Sequence, residues 1–461
     1  MIDKQLAQDI ISAALTGGAD FAEIFVEHNK KTSISLVNGR VDKALAGIDH
    51  GLGLRLFFGE KVIYAYTNDL SRSSLLKITR ESCIGGKSGA GTSKESVLLD
   101  YTKANNHTVE ILPELVRKKE VVDLLSVAHT SATAYSPLIT QTSIGYLSSN
   151  QQVEIINSNG VWVRDNRVRT RASISAVASN EMEKQTGYFG PGALRGFEFM
   201  KSTDLGAIGE EAARCAVTML KADNCPSGKM PVVMDNGFGG VIFHEACGHG
   251  LEAAAVSKNA SVFANKLNEQ IASEKVTAVD DGTITNSWGS INVDDEGNKA
   301  EKKVLIENGI LKNYMVDIYN GMKMGMPANG SGRRESYKYM PTSRMTNTYI
   351  ASGTDKREDI ISSVDYGLYA KYMGGGSVNP ATGEFNFAVN EAYLIRNGKI
   401  CEPVRGATLI GKGSQVLMDI DMVSDNLALA EGMCGASSGS VPVCVGQPML
   451  RVKEMVVGGR G

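Results

Sequence analysis

The chain has 461 residues, of which 42% are hydrophobic and 21% charged, and its formal net charge is −3. This length favours two or three domains, and the composition is typical of a globular protein. The basic residues are dispersed, which argues against nucleic acid as a partner. No apolar run reaches the roughly 18 residues of a membrane span and no secretory leader is evident, so we expect a cytoplasmic protein without a membrane partner. The seven cysteines are scattered, as expected for reduced thiols.

The first hundred residues predict a helix, a series of hairpins and a second helix. Asp3 can cap a helix that ends at Gly17-Gly18. Strand-like runs follow, with tight turns expected at VNGR (37–40) and FGEK (58–61). A helix is then expected from Leu70 to Cys83. The segment 85–106 that follows is rich in Gly, Ser and Lys, and we interpret it as a linker or mobile loop.

The middle of the chain repeats this pattern of helix and strands. A helix is predicted to begin at Pro113 and to turn Leu115, Val122 and Leu125 inward. Long strands follow, joined by a hairpin turn at NSNG (157–160).

The order of the elements predicts an α+β fold, because strands are grouped rather than alternating with helices. Ser202 or Thr203 is expected to open a second long helix. The Pro- and Gly-bearing segment 224–231 is expected to mark a domain boundary.

Two domains follow from this organisation. An N-terminal α+β domain is expected at 1–223, with a further division into subdomains at 1–84 and 107–223 left open. A β-rich C-terminal domain that carries one key helix is expected at 231–461.

The stretch FHEACGHGLEA, Phe243 to Ala253, contains two of the six histidines. His244 and His249 are five positions apart, whereas histidines that share a metal on a regular helix are four apart. A π-bulge would realign positions five apart, and Gly248 would ease that distortion. Neutral imidazoles are good zinc ligands, and Glu245 would take a proton from a zinc-bound water. The stretch therefore predicts a metal site on a distorted helix.

A catalytic zinc site needs a third protein ligand, which the spacing alone leaves open. Glu252 is one candidate, and Cys247 and the distant Cys434 are others. Helical spacing directs Cys247 away from both histidines, which favours a core position for it. The alternative reading is that the histidines are packing residues and that no metal binds.

Five stretches in the second half carry a resemblance to a known family. They are HEACGHGLEA (244–253), GSGRRESYKYMPTSRMTNTYI (330–350), GGSVNPATGEFNFAVNEAYLI (375–395), PVRGATLIGKG (403–413) and GMCGASSGSVPVCVGQPMLRV (432–452). On these stretches the sequence resembles the TldD/PmbA family, and within it the TldD type that keeps H-E-x-x-x-H. The N-terminal half fits more loosely, through AEIFVE and GLGLRLF.

The resemblance implies a zinc metallopeptidase that cuts unfolded peptides, with the zinc-binding helix in the β-rich C-terminal domain. It implies zinc ligands at His244, His249 and Cys434, and Glu245 as the catalytic residue. It also implies a dimer, either with a second copy or with a related chain that lacks the zinc motif. The stretch ASSGS (436–440) departs from the family pattern, which puts the substrate preference in question.

Polar residues of the 330–350 stretch each have functional and structural interpretations. Arg333, Arg334 and Arg344 suit a clamp for a peptide carboxylate, an oxyanion stabiliser or structural ion pairs. Tyr337 and Tyr339 suit either donation to an oxyanion or packing in the core.

The remaining histidines, His28, His50, His107 and His129, lack acid or cysteine neighbours at ligand spacing, and we interpret them as structural or surface residues. DDEG (294–297) lacks the spacing of a calcium loop and predicts a β-turn.

Two further hypotheses concern substrate and function class. The glycine-rich stretch 374–385 is interpreted as a loop near the site or as a plain hairpin connection. If the C-terminal domain offers a strand edge, an extended peptide would add to it through backbone hydrogen bonds. The rival class is a binding or regulatory protein without hydrolysis, against which the His-Glu-His motif and Cys434 favour chemistry.

Overall fold

The structure is a computed structural model that describes residues 1–86, 102–104, 106–379 and 382–459. Its α-helices are α1 (Lys4–Thr16), α2 (Arg72–Gly86), α3 (Lys118–Tyr135), α4 (Glu198–Ser202), α5 (Leu205–Lys221), α6 (Val241–Ala246), α7 (Ala253–Val256), α8 (Ile318–Met324), α9 (Arg357–Ser362) and α10 (Gly413–Asp419). Short 3₁₀-helices lie at Pro113–Leu115, Gly237–Gly240 and Gly248–Leu251. Among the helices described, none combines the length and the apolar character that crossing a membrane requires.

Strands outnumber helices, and the α+β prediction is confirmed. The first group is β1 (Phe21–Val37), β2 (Arg40–Phe58), β3 (Lys61–Thr67), β4 (Thr102–Lys103), β5 (Ile139–Asn157), β6 (Trp162–Ser179), β7 (Lys184–Phe189) and β8 (Gly192–Ala193). The second group is β9 (Asp223–Asn224), β10 (Gly228–Met234), β11 (Ala278–Asp281), β12 (Lys302–Glu307), β13 (Ile310–Leu311), β14 (Gly332–Arg333), β15 (Thr342–Ser343), β16 (Asn347–Ile350), β17 (Tyr366–Val378), β18 (Glu384–Arg396), β19 (Lys399–Arg405), β20 (Thr408–Lys412), β21 (Ile420–Val423), β22 (Ala428–Ala436), β23 (Gly439–Gln447) and β24 (Leu450–Gly458).

The first eight strands form one sheet, in the order β3-β2-β1-β5-β6-β4, with β7 and β8 also paired to β6. Strands of 1–84 and of 107–223 are thus continuous in a single sheet, because β1 pairs with β5 as well as with β2. Helices α1 and α2 pack at one end of this sheet, and α3 and α5 pack at the other. The division of the chain into domains and subdomains stays a prediction.

The predicted turns are confirmed at 37–40, 58–61 and 157–160, each between paired strands. At the first of them Asn38 and Gly39 have φ angles of 49° and 73°, the left-handed conformation that such hairpin turns require. The cap of α1 is also confirmed, because the side chain of Asp3 accepts from the Leu6 N–H at 2.7 Å.

Two predicted helix starts are wrong. The backbone is extended at Val116 and Arg117, so Pro113–Leu115 forms a separate 3₁₀ turn and α3 begins only at Lys118. Leu115 is therefore 77% exposed instead of buried.

The second long helix, α5, also starts later than expected. Ser202 ends the short helix α4, and Asp204 caps α5 by accepting from the Ala207 N–H. The linker predicted at 85–106 falls mostly on 87–101 and 105, outside the described residues.

Five of the strands after β9 form a closed ring, which lies beside a six-stranded sheet. In the ring, β17 pairs β10, β10 pairs β24, β24 pairs β20, β20 pairs β18, and β18 returns to β17. The neighbouring six-stranded sheet has the order β13-β12-β11-β16-β23-β22. Helix α6 contacts β17 and β18 of the ring and β16 and β23 of the sheet, so the quoted motif lies between the two.

Candidate metal centre

The motif helix is held in place by its own apolar side chains and by glycine. Ile242, Phe243 and Ala246 are buried in the core that α6 shares with the ring. The turn before α6 approaches the sheet closely at Gly240, where an added Cβ would stand 2.4 Å from the carbonyl oxygen of Gly446 in β23. Residues larger than glycine would therefore push the helix away from the strand.

The helix is distorted between the two histidines, as predicted, but the predicted π-bulge is wrong. Helix α6 ends at Ala246, Cys247 leaves helical geometry with φ −129° and ψ −45°, and Gly248–Leu251 continues as a 3₁₀-helix. Gly248 is needed for close packing, because an added Cβ would stand 2.4 Å from Sδ of the buried Met345. The break brings positions five apart to one side, which a regular helix does not.

Three side chains converge at this break. Nε2 of His244 and Nε2 of His249 each lie 3.2 Å from Sγ of Cys434. The three donor atoms lie within 4.8 Å of one another. Cys434 is far along the chain, on β22, and is placed by its pairing with Val441 of β23, whose own neighbour β16 contacts α6.

This donor set fits zinc. Two imidazole nitrogens and a thiolate are ligands that zinc prefers, and three protein ligands are typical of catalytic sites. Donors that share one tetrahedral zinc at usual ligand distances stand about 3.5 Å apart, close to the 3.2 Å of the two nitrogen–sulfur pairs. His244 and Cys434 are buried and His249 is 14% exposed, so one side of the cluster is open to a substrate.

Glu252, a candidate third ligand in the sequence, lies behind His249 instead of among the ligands. Its Oε2 is 3.0 Å from Nδ1 of His249, on the side of the ring opposite to Cys434. A carboxylate on the second ring nitrogen fixes the orientation and basicity of a metal-binding histidine. Glu252 is thus placed to orient His249.

Arg344 links Glu252 to the Cys434 loop. The guanidinium is fully buried, and it donates to the backbone carbonyl of Cys434, to Oγ of Ser438 at 3.1 Å and to the carbonyl of Gly439 at 3.0 Å. Its Nε is 3.9 Å from Oε1 of Glu252. Arg344 therefore braces the hairpin that carries Cys434, and its guanidinium is occupied by contacts within the protein.

Glu245 borders the cluster and is partly exposed. Its Oε2 is 3.6 Å from Nε2 of His249, and its side chain is 29% accessible. Burial raises the pKa of Glu245, with the carboxylate of Glu252 adding to the rise and His249 opposing it. A carboxylate with a raised pKa is a better proton acceptor near neutral pH than an ordinary one.

The pKa values of the two histidines are shifted in opposite directions. Burial lowers the pKa of His244 well below its usual value, which favours the neutral imidazole that binds metals. Burial also disfavours the charged form of His249, but Glu252 and Cys434 outweigh it and raise the pKa of His249 well above its usual value. A metal at this site would therefore displace a proton from His249.

The other histidines and Cys247 lie away from the cluster. Cys247 is buried in the core, as expected, and burial raises the pKa of its thiol. His107 accepts from the Asn286 N–H, His129 contacts Thr142, and His28 and His50 face each other across β1 and β2. Among the described residues, the only group of three His, Cys, Asp or Glu side chains placed to hold a metal ion is His244, His249 and Cys434.

Arg334 and Tyr337 join the two halves of the chain. Arg334 forms an ion pair with Glu23 of β1, and both side chains are fully buried. The hydroxyl of Tyr337 donates to Asp49 of β2 at 3.1 Å. These contacts correspond to the structural interpretation of both residues.

The DDEG stretch forms the predicted turn, but its acids have a role that the sequence did not reveal. Asp294, Asp295 and Glu296 are all buried. Asp295 pairs with Arg167 of β6, and Glu296 pairs with Arg55 of β2 at 2.7 Å. A run of acids in a turn is usually solvated. These acids are buried because arginines of the first sheet face them, and the local sequence does not show that contact.

Comparison with known proteins places the whole chain in one family. Three family models match: the PmbA/TldA metallopeptidase domain 1 over residues 22–83, the central domain over 111–220 and the C-terminal domain over 227–459. Among curated relatives, a Metalloprotease TldD homolog of Haemophilus influenzae is 38% identical over 95% of this chain and 93% of its own length. A Zinc metalloprotease TldD homolog of Saccharolobus solfataricus is 27% identical over 96% of this chain and 97% of its own.

Solved structures share the fold at low sequence identity. A Thermotoga maritima protein described as a candidate modulator of a DNA gyrase superposes with a TM-score of 0.80 at 21% identity, covering 99% of this chain and 100% of its own. TldE from Thermococcus kodakarensis superposes with a TM-score of 0.76 at 19% identity, covering 98% and 100%. The family models and the relatives together show that this chain belongs to the PmbA/TldD metallopeptidase family.

Proposed function

We propose that this chain is a zinc-dependent peptidase that hydrolyses unfolded or flexible peptides, with Glu245 as the general base. The observation that carries the proposal is the convergence of His244, His249 and Cys434 beside Glu245, in a member of a metallopeptidase family. The rival class, a binding protein without hydrolysis, does not account for a zinc-type donor set next to a carboxylate with a raised pKa.

Zinc bound at this site would polarise the scissile carbonyl and increase the acidity of the attacking water. Glu245 would accept a proton from the attacking water and pass it to the leaving amine, a role that suits a partly exposed carboxylate at the edge of the ligand cluster. Glu252 and Arg344 hold His249 and the Cys434 loop in place, so that the ligands keep their arrangement when substrate arrives.

An extended peptide would bind along β22. This strand is at the edge of the six-stranded sheet, and no further described strand pairs with it. Met433, Gly435 and Ala436, which flank Cys434, are exposed. Pairing with a strand edge uses the peptide backbone, so it would select flexible chains with little regard to side chains.

The first experiment measures zinc per chain by elemental mass spectrometry in the wild type and in Cys434→Ser. We expect about one zinc in the wild type, as the single cluster requires, and a clear loss in the variant. Cys401→Ser is the matched control, because Cys401 is an exposed free cysteine away from the cluster. A wild type that takes up no zinc would move the assignment to the binding-protein class.

The second experiment separates metal binding from hydrolysis. Glu245→Gln keeps the size of the side chain but removes its basicity, so the variant should keep zinc and lose cleavage of an unstructured peptide by about 100-fold or more. Full cleavage by this variant would exclude Glu245 as the base.

The partner of the chain is also part of the proposal. The resemblance of TldE from Thermococcus kodakarensis to this fold supports a dimer with a second copy or with a related chain. Light scattering of the purified chain distinguishes these two alternatives. The mass of a dimer would indicate pairing with a second copy, whereas the mass of a monomer would indicate that the partner is a related chain.

A further inference from the structure

A cavity lies near the hairpin that carries Cys434. It has a volume of about 210 Å³ and is lined by residues of the first sheet, of the 333–335 segment and of the β22–β23 hairpin. Met433, directly before Cys434, and Val441, its strand partner, both line it. The cavity therefore adjoins the proposed peptide-binding edge.

The lining of this cavity is strongly cationic. Five basic residues face it, together with two acids: Lys31, Arg167, Arg169, Arg333, Arg334, Asp295 and Glu335. Both acids are already engaged, because Asp295 pairs with Arg167 and Glu335 accepts from the backbone N–H of Ser440 at 2.7 Å. The cavity thus has an excess of positive charge.

Arg169 and Arg333 lack the carboxylate partners that the other buried arginines have. Arg167 pairs with Asp165 and Asp295, and Arg334 pairs with Glu23. Within the described part of the chain, no carboxylate oxygen lies within 4.0 Å of either Arg169 or Arg333. The two side chains belong to residues that are only 5% and 3% exposed.

Each of these two guanidinium groups is held only by backbone carbonyls. Arg169 donates through Nε to Trp288 O at 3.1 Å and through Nη2 to Ser290 O at 2.8 Å, which leaves its Nη1 for another acceptor. Arg333 donates through Nη1 to Met345 O at 2.5 Å. Buried charges in proteins are normally paired, so two that are not indicate a missing anion.

The pKa values of the two arginines also indicate a missing anion. Burial and the mutual repulsion of the arginines lower the pKa of Arg169 to about 9 and the pKa of Arg333 to about 10. An anion between them would oppose this lowering of both pKa values. Guanidinium groups bind carboxylates through parallel N–H···O bonds, which suits a cavity lined by two arginines without carboxylate partners.

We propose that Arg169 and Arg333 bind a carboxylate group of the peptide substrate. This inference rests on the proposed peptidase function, because it takes the ligand to be the peptide lying along β22. The carboxylate has two sources, the C-terminus of the peptide or an Asp or Glu side chain, and both present the same group to the two arginines.

The test measures binding, so that it does not depend on cleavage. Trp288 lines the cavity, and a Trp162→Phe background makes it the only tryptophan of the chain. Its fluorescence is titrated in the zinc-loaded Glu245→Gln protein with N-acetyl-triglycine as free acid and as amide. N-acetyl-Gly-Gly-Glu-amide and its Gln counterpart form the second pair of probes.

We expect saturable binding of at least one acid probe, at least about tenfold tighter than its amide counterpart. The first pair reports the C-terminal source and the second pair the side-chain source. Arg169→Met and Arg333→Met should each remove the acid preference. Arg171→Gln should keep it, because Arg171 is two positions further along β6 but does not line this cavity.

Arg169→Lys controls for loss of binding through misfolding. It keeps the charge and should keep the acid preference at reduced affinity. Equal binding of acids and amides, or an unchanged preference in both Met variants, would overturn the carboxylate site. If the acid probes bind but the zinc-loaded wild type cleaves no unstructured peptide, the proposed function would be refuted and the carboxylate site would stand.

Discussion

The Glu252 carboxylate lies 3.0 Å from Nδ1 of His249, and the opposite nitrogen of the same ring lies 3.2 Å from the Cys434 thiol. The Glu252 carboxylate thus leaves Nε2 of His249 directed at the thiol and the candidate metal site. Glu252 is three residues after His249, directly beyond the 3₁₀-helix, so the broken helix places both the ligand and its support.

Glu252→Gln should weaken zinc binding about 10- to 100-fold, because the neutral amide no longer increases the basicity of the imidazole. A competition titration against a chelator measures the change. Glu245→Gln is the matched control and should bind zinc with nearly wild-type affinity. An equal affinity of Glu252→Gln and the wild type would refute the positioning role.

Arg344→Met should loosen the loop after Cys434. The substitution removes the donor for the carbonyls of Cys434 and Gly439, each of which costs about 1–3 kcal/mol when left unsatisfied in the interior. We expect a lower free energy of unfolding in urea together with weaker zinc binding.

Arg344→Lys provides the comparison for that variant, because it keeps the charge without the planar fork and should recover only part of the loss. If the Met variant retained both stability and zinc affinity, the bracing role would be wrong.

Glu23→Gln should destabilise the junction between the first sheet and the 294–334 region. Glu23 is fully buried between Arg55 and Arg334, so removing its charge leaves two buried guanidinium groups short of a partner. Breaking a buried pair in this way costs about 3–5 kcal/mol. Urea unfolding measures the loss.

The control for Glu23→Gln is Asp49→Asn, whose ion pair with Lys338 is exposed and contributes at most about 1 kcal/mol. Equal effects of the two substitutions would mean that the buried network contributes little. A large effect of Glu23→Gln alone would also support the structural interpretation of Arg334, its ion-pair partner.

The stability of the protein should depend on pH through Glu296. Burial raises the pKa of Glu296 from its usual 4.5 to about 8, against the opposing charge of Arg55. Between these two values the folded protein holds a proton that the unfolded chain has released. Stability from this group is therefore complete below pH 4.5 and is lost as the pH rises to about 8.

Glu296→Gln carries no titrating group, so the variant should lack this decline. The difference in unfolding free energy between wild type and variant should change with pH by up to ~1.4 kcal/mol per unit across the window. Urea denaturation at several pH values measures it, and parallel curves for the two proteins would show that Glu296 is ionised throughout.

The sequence by itself determined the fold class, the hairpin turns and the family. Local rules decide these features: Asn-Gly supplies the left-handed angles of a tight turn, and Asp3 satisfies the first N–H groups of its helix. The sequence also identified the unusual spacing of His244 and His249 as a distorted helix. It placed two helix starts wrongly, because extended backbone at Val116 and a competing short helix at Glu198–Ser202 depend on packing.

Only the tertiary structure decided which side chains meet. Cys434 joins two histidines 185 and 190 positions away, through the pairing of β22 with β23 and of β23 with β16. The same holds for the arginines: Arg334 faces Glu23, whereas Arg333 faces a cavity with Arg169. Residue type gives each arginine the same charge, and only the fold determines whether an acid lies within reach of it, because long-range strand pairing sets those distances.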